Sequence, residues 1–148
     1  MLRALAVAVA LAASLAAASA AQAAPKPDGT WQIISDKDGK PRALIRLTTV
    51  GGTLQGVLTA SLRGEDPNNV CSKCQGANHN KKIIGLLVLW GLKPAGDGAW
   101  DGGQILDPDS GAVYSAKMTE TPDGKTITMR GFIGISLIGR TQTWKRQN

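Results

Sequence analysis

The sequence predicts an all-β fold, an antiparallel eight-stranded up-and-down barrel, and three observations carry that expectation. Helical periodicity is missing after residue 24, and short runs that alternate apolar and polar residues take its place. Gly, Pro, Asp and Asn break those runs, residues whose backbone freedom or side-chain chemistry suits turns. No segment has the length and pattern of a crossover helix, so parallel pairing is not expected. Sequential antiparallel strands lose their exposed edges by closing into a barrel; a two-sheet sandwich is the alternative.

The first run, Gly29 to Ser35, is closed by the turn string Asp36-Lys37-Asp38-Gly39-Lys40-Pro41. Arg42 to Thr49 ends at Gly51-Gly52, a pair that tolerates the positive φ of a tight hairpin turn. Thr53 to Leu62 puts Leu54, Gly56, Leu58, Ala60 and Leu62 on one face. A long polar segment, Arg63 to Lys82, then interrupts the rhythm. Ile83 to Leu92 is apolar on both faces, as expected of a strand covered on both sides or passing under that loop. Ala99 to Leu106, Ala112 to Glu120, Lys125 to Ile133 and Arg140 to Arg146 complete eight runs. Glycines inside or at the ends of these runs, such as Gly56, Gly103 and Gly131, permit the strong coiling that closure needs.

The chain opens with Met1-Leu2-Arg3, an apolar run from Ala4 to Ala13, and Ala21-Gln22-Ala23. This is the pattern of a signal peptide over 1–23, cleaved before Ala24, and the expected location is periplasmic or secreted. A membrane anchor needs about 20 strongly apolar residues. Here alanine dominates and Ser14 and Ser19 intervene, so no integral membrane protein is expected. The mature chain, 24–148, is expected to be a single β-barrel domain, large enough for one modest core. Without Arg3 it holds 16 of the 17 basic residues against 11 acidic ones, a net charge of +5. The charges are scattered and form no basic stripe, and export removes nucleic acid as a partner. A solvated surface explains most of this charge, and a weak attraction to anionic envelope surfaces is compatible with it.

Cys71 and Cys74 form a C-x-x-C and are the only cysteines. A c-type haem site needs His after the second Cys, and Gln75 stands there. Zinc needs about four ligands, and His79 is the only histidine to add, so no metal is expected. A redox pair normally sits at a helix start, whereas Pro67, Asn68, Asn69, Gly76 and Asn78 mark a loop. A structural disulfide pinning that loop is the favoured reading, with redox activity the alternative. Asp101, Asp107 and Asp109 cluster, but Asp107-Pro108-Asp109-Ser110-Gly111 reads as turn chemistry rather than acid catalysis. No nucleophile elbow, zinc-protease motif or phosphate-binding loop occurs; no catalytic residue and no cofactor are expected.

Trp31, Trp90, Trp100 and Trp144 each fall in or at the edge of a run. They either plug a barrel just wide enough for side chains or line a pocket for a small apolar or amphipathic ligand. Arg130 and Arg140, in or beside the last runs, can stack on a Trp face or meet a carboxylate. These six residues are the candidate ligand-binding set. Gly29-Thr30-Trp31 near the first strand, with an Arg on the last, resembles the way a lipocalin closes its barrel bottom.

A wider resemblance rests on Cys71-Ser72-Lys73-Cys74, Gly85 to Lys93, Trp100 to Pro108, Gly111, Tyr114, Arg130 to Gly134, and Gly139 to Trp144. Together these resemble the bacterial exported family called domain of unknown function 2147, over nearly the whole mature chain. The resemblance implies a small exported domain with a calycin-like, that is lipocalin-like, barrel, and it carries no activity, cofactor or catalytic residue to transfer. A Gly-Lys usual before the tyrosine is Gly111-Ala112 here, so a role for that lysine is absent. The function expected is binding of a small apolar or amphipathic ligand by an exported barrel. The alternative is an envelope structural or interaction protein that uses the disulfide-pinned 63–82 loop as its contact surface; an enzyme is the least supported.

Overall fold

The computed structural model describes residues 26–148, and the expected signal peptide and its cleavage site lie outside them. Eight strands succeed one another: β1 (Gly29–Ile34), β2 (Pro41–Val50), β3 (Thr53–Ser61), β4 (Leu87–Pro94), β5 (Ala99–Leu106), β6 (Val113–Glu120), β7 (Thr126–Phe132) and β8 (Gly139–Arg146). Each pairs antiparallel with the next, and β1 pairs with β8, so the sheet closes into an up-and-down barrel in sequence order. That is the predicted architecture; the sandwich is not formed.

Alternation decides which side chains enter. In β7, Ile127 and Met129 are buried while Thr128 between them is exposed, the period of two that a half-buried strand requires. In β6 the same parity buries Ala116, Met118 and Glu120. Gly51 and Gly52 take φ values of +58° and +80°, the left-handed backbone that a two-residue hairpin between β2 and β3 demands. Register shifts interrupt the β2–β3, β3–β4 and β5–β6 ladders. Such bulges add the local twist that a narrow barrel needs.

One boundary differs from the sequence expectation. β4 begins at Leu87 rather than Ile83. The amide of Leu86 bonds the carbonyl of Ile83 at 3.1 Å, a turn that takes Ile83 to Leu86 out of the ladder. The segment is apolar because it folds against the barrel opening. A single 3₁₀ turn, Gly76–Asn78, is the one helical element among the described residues, and no helix there is long and apolar enough to cross a membrane.

The direction of the strands sorts the connections. The β2–β3, β4–β5 and β6–β7 turns share one end with the N-terminal stretch and Arg146. The β1–β2 turn, the 62–86 loop, the β5–β6 turn and the β7–β8 hairpin share the other. The two ends are built differently.

Candidate functional site

The first end is closed. Trp31 is 0 % exposed, and its indole Nε1 donates to the carbonyl of Pro27 at 2.8 Å. The register sets Trp31 opposite Arg146, and the guanidinium carbon stands 4.3 Å from the Trp31 ring centroid, a cation–π stack. The same guanidinium donates from Nη1 to the Asp28 carbonyl at 2.9 Å and from Nη2 to the Lys26 carbonyl at 2.8 Å. It also donates from Nη2 to Glu120 Oε1 at 2.9 Å. One arginine therefore ties the entering chain, the first strand and the sixth strand across the barrel floor. Glu120 is 3 % exposed, and its Oε2 finds no partner among the described residues. Burial pushes its carboxyl above the usual range, against the pull of Arg146.

One layer up, the interior opens. Ile33, Ile45, Leu58, Val88, Met129 and Trp144 surround a cavity of about 330 Å³ that leads out between the turns of the second end. Volumes of this size hold small organic ligands. Ala43 and Ala60, with little side chain, leave the upper wall wide. The rim is polar. Lys37, Arg42, Asp107, Asp109, Tyr114 and Arg140 stand around it. Arg42 is paired with Asp109, and Arg140 Nη2 meets Asp36 Oδ1 at 2.5 Å. The hydrogen bonds from Arg140 hold the Asp36 carboxyl below the usual 3.8. The pair is thus intact above that value and is lost only as pH falls through the depressed one.

The 63–82 segment forms part of the rim. Cys71 and Cys74 are joined in a disulfide, and both are buried. The carbonyl of Cys71 accepts from the Asn80 amide at 2.9 Å, and a bridge between Val70 and Lys82 ties the base of the loop. Cys71 Sγ lies 3.5 Å from the Pro108 carbonyl. Gly111 has φ +73°, and a Cβ there would overlap the Lys73 carbonyl. The disulfide thus seats the loop on the β5–β6 turn, and Glu65, Ile83 and Ile84 from the loop region wall the opening. Asp107 accepts from the Asp109 amide at 2.9 Å and from Ser110 Oγ at 3.1 Å, the turn chemistry its sequence suggests. Nδ1 of His79 lies 3.1 Å from the Cys74 carbonyl, within the loop.

The structure separates the six candidate residues. Trp144, 0 % exposed, and Arg140 line the cavity. Trp31 plugs the floor beneath it. Trp90 is half-buried, packed against the core outside the cavity lining, and its Nε1 donates to Gln104 Oε1 at 3.1 Å. Trp100 packs against the core away from the cavity. Arg130 points outward and donates to the Ser136 carbonyl at 2.8 Å and to Thr141 Oγ1 at 2.9 Å. Plug and pocket thus coexist as successive layers. Sequence reasoning passed over Arg146, which stood in a terminal basic pair, and Ile83 and Ile84, which read as strand.

A closed eight-stranded up-and-down barrel, sealed at one end by a Trp–Arg stack and open at the other into an apolar cavity, has a lipocalin-like fold. A solved structure of similar fold is that described as "Protein HP1028 from the human pathogen Helicobacter pylori belongs to the lipocalin family", with TM-score 0.75 and 17 % identity over 84 % of each chain. A search of curated proteins found no match. The chain itself belongs to the family described as uncharacterized protein conserved in bacteria, domain of unknown function 2147, whose model matches residues 29–146.

Proposed function

We propose that this protein is an exported carrier or sequestering protein for a small amphipathic molecule, held with its apolar part against Trp144 and its polar end among the rim charges. The observation that carries the reading is the layered interior: a packed Trp31 floor beneath a cavity of about 330 Å³ with apolar walls and a charged rim. An up-and-down barrel needs only side chains to fill it. Here the fill stops halfway. The leader pattern of residues 1–23 supports export. The disulfide seats the loop on the β5–β6 turn, with Glu65 of the loop and Ile83 and Ile84 just after it at the cavity wall, which ties this element to the cavity.

Native mass spectrometry after gentle purification tests the reading, together with Trp fluorescence titration by fatty acids and lysophospholipids. The expected result is a bound small molecule, or a saturable change in Trp144 emission at a stoichiometry near one. Unchanged emission across the series, with only the bare protein mass, overturns it. Export is tested separately: the chain recovered from the periplasmic or extracellular fraction should begin at Ala24, and a retained leader speaks against it.

A further inference from the structure

The β7–β8 hairpin ends in Ile133-Gly134-Ile135-Ser136-Leu137-Ile138, six residues with no charge. Its four large aliphatic side chains are 59–84 % exposed, beside the cavity opening. Single exposed hydrophobics are ordinary, but a protruding cluster is not. It also belongs to a wider asymmetry. Of the nine exposed large hydrophobics among the described residues, eight lie at the open end and only Val50 at the closed one. Ile133 and Ile138 line the cavity as well, so the apolar surface runs without a break from the hairpin tip to the interior.

The cations beside the tip differ in their partners: Arg140 is paired with Asp36, whereas two others are not paired among the described residues. Arg130, whose guanidinium donates to the Ser136 carbonyl of the tip, has no carboxylate within ion-pair distance among the described residues. Lys117, its cross-strand neighbour, lies 6.0 Å from the Phe132 ring centroid and is likewise without a carboxylate among them. A second copy of the chain is a poor occupant for this surface. Stable interfaces use roughly 20–30 residues a side, and a six-residue hairpin tip supplies a fraction of that.

We propose that the β7–β8 tip docks in the interfacial region of an anionic phospholipid bilayer, with Ile135 and Leu137 dipped among the acyl chains and Arg130 and Lys117 at the phosphates. Short apolar segments with flanking cations bind in this way, by buried apolar area plus attraction to anionic lipid. Docking would place the cavity opening at the bilayer surface, where an amphiphile can pass along Ile133 and Ile138 without crossing water. The docking goes beyond ligand binding and does not depend on it.

A polarity-sensitive fluorophore on Leu137→Cys, with the same label on Val50→Cys at the opposite end, reads the insertion directly. The vesicles are equal parts phosphatidylglycerol and phosphatidylcholine. The expected result is a blue shift at position 137 only, and lipid affinity about tenfold or more lower in Ile135→Asp/Leu137→Asp. Because the label reports position, any affinity of the Ala4–Ala13 run for lipid cannot imitate this outcome. An unshifted label at 137 in the presence of vesicles overturns the proposal. So does a shift that grows with protein concentration in the absence of lipid, which assigns the tip to a second copy. Equal binding to pure phosphatidylcholine overturns the anionic assignment.

Discussion

Arg146 and Glu120 show how much of the barrel's closed end rests on two side chains. Arg146 stacks on Trp31 and bonds three backbone carbonyls besides Glu120. Removing it by Arg146→Ala leaves a buried carboxylate unpaired, at a cost of about 3 kcal/mol at neutral pH. Urea unfolding at pH 7 and at pH 4 checks this, and the loss should be smaller at pH 4, where Glu120 takes up a proton. Glu120 has its own pH signature. Its folded-state carboxyl titrates above the ordinary 4.5, so between 4.5 and that higher value the native state binds more protons than the unfolded one. Stability therefore falls as pH rises through that window. Glu120→Gln should remove this fall, which parallel unfolding curves across pH 4–8 will show. Of this end the sequence revealed Trp31, through Gly29-Thr30-Trp31 and its likeness to a lipocalin bottom. The partner arginine was hidden. Arg130, Arg140 and Arg146 all lie in the last two strands, and only pairing register decides which one meets Trp31.

The 62–86 connection is the element that gives the opening its shape. Its disulfide closes a very short ring, so chain entropy accounts for only about 2 kcal/mol of stability. Its greater effect is positional. With Cys71 against the Pro108 carbonyl and Lys73 against Gly111, the loop and the β5–β6 turn hold each other. Cys71→Ser/Cys74→Ser should cost about 2 kcal/mol in urea unfolding and also speed amide exchange at Ile83 and Leu86, leaving the β7–β8 ladder protected. Gly111→Ala tests the same contact from the other side. A Cβ at positive φ that strikes a carbonyl forces the loop away, and the same amides should exchange faster with the disulfide intact. Strands were legible because each announces itself locally: two-residue alternation between turn residues placed seven of the eight starts within a residue or so. The start of β4 was not. Ile83 and Ile84 have strand composition, and their turn is set by the Leu86–Ile83 hydrogen bond and by contact with a cavity no local pattern reveals.

At the scale of the whole molecule, the division between floor and cavity makes a prediction that separates a void from a packed interior. Ala43 lines the cavity, whereas Ala116 is buried in the β6 layer away from it. The same change, alanine to phenylalanine, should act oppositely at the two sites. At Ala116 the ring has no room and should destabilise by about 1–3 kcal/mol. At Ala43 it enters empty space, so stability should change by less than about 1 kcal/mol while affinity for an amphipathic probe drops about tenfold or more. Thermal melts read the first pair of outcomes and Trp fluorescence titration the second. Ligand linkage closes the comparison. At a free concentration about 100 times Kd, a ligand bound only by the native state adds about 2.7 kcal/mol, roughly 10 °C in a domain of this size. That gain should appear in the wild type and in Glu120→Gln, whose change lies at the floor, and vanish in Ala43→Phe. A gain that survives in Ala43→Phe would move the binding site out of the cavity and onto the surface, so the melting series tests the location of binding and not merely its existence.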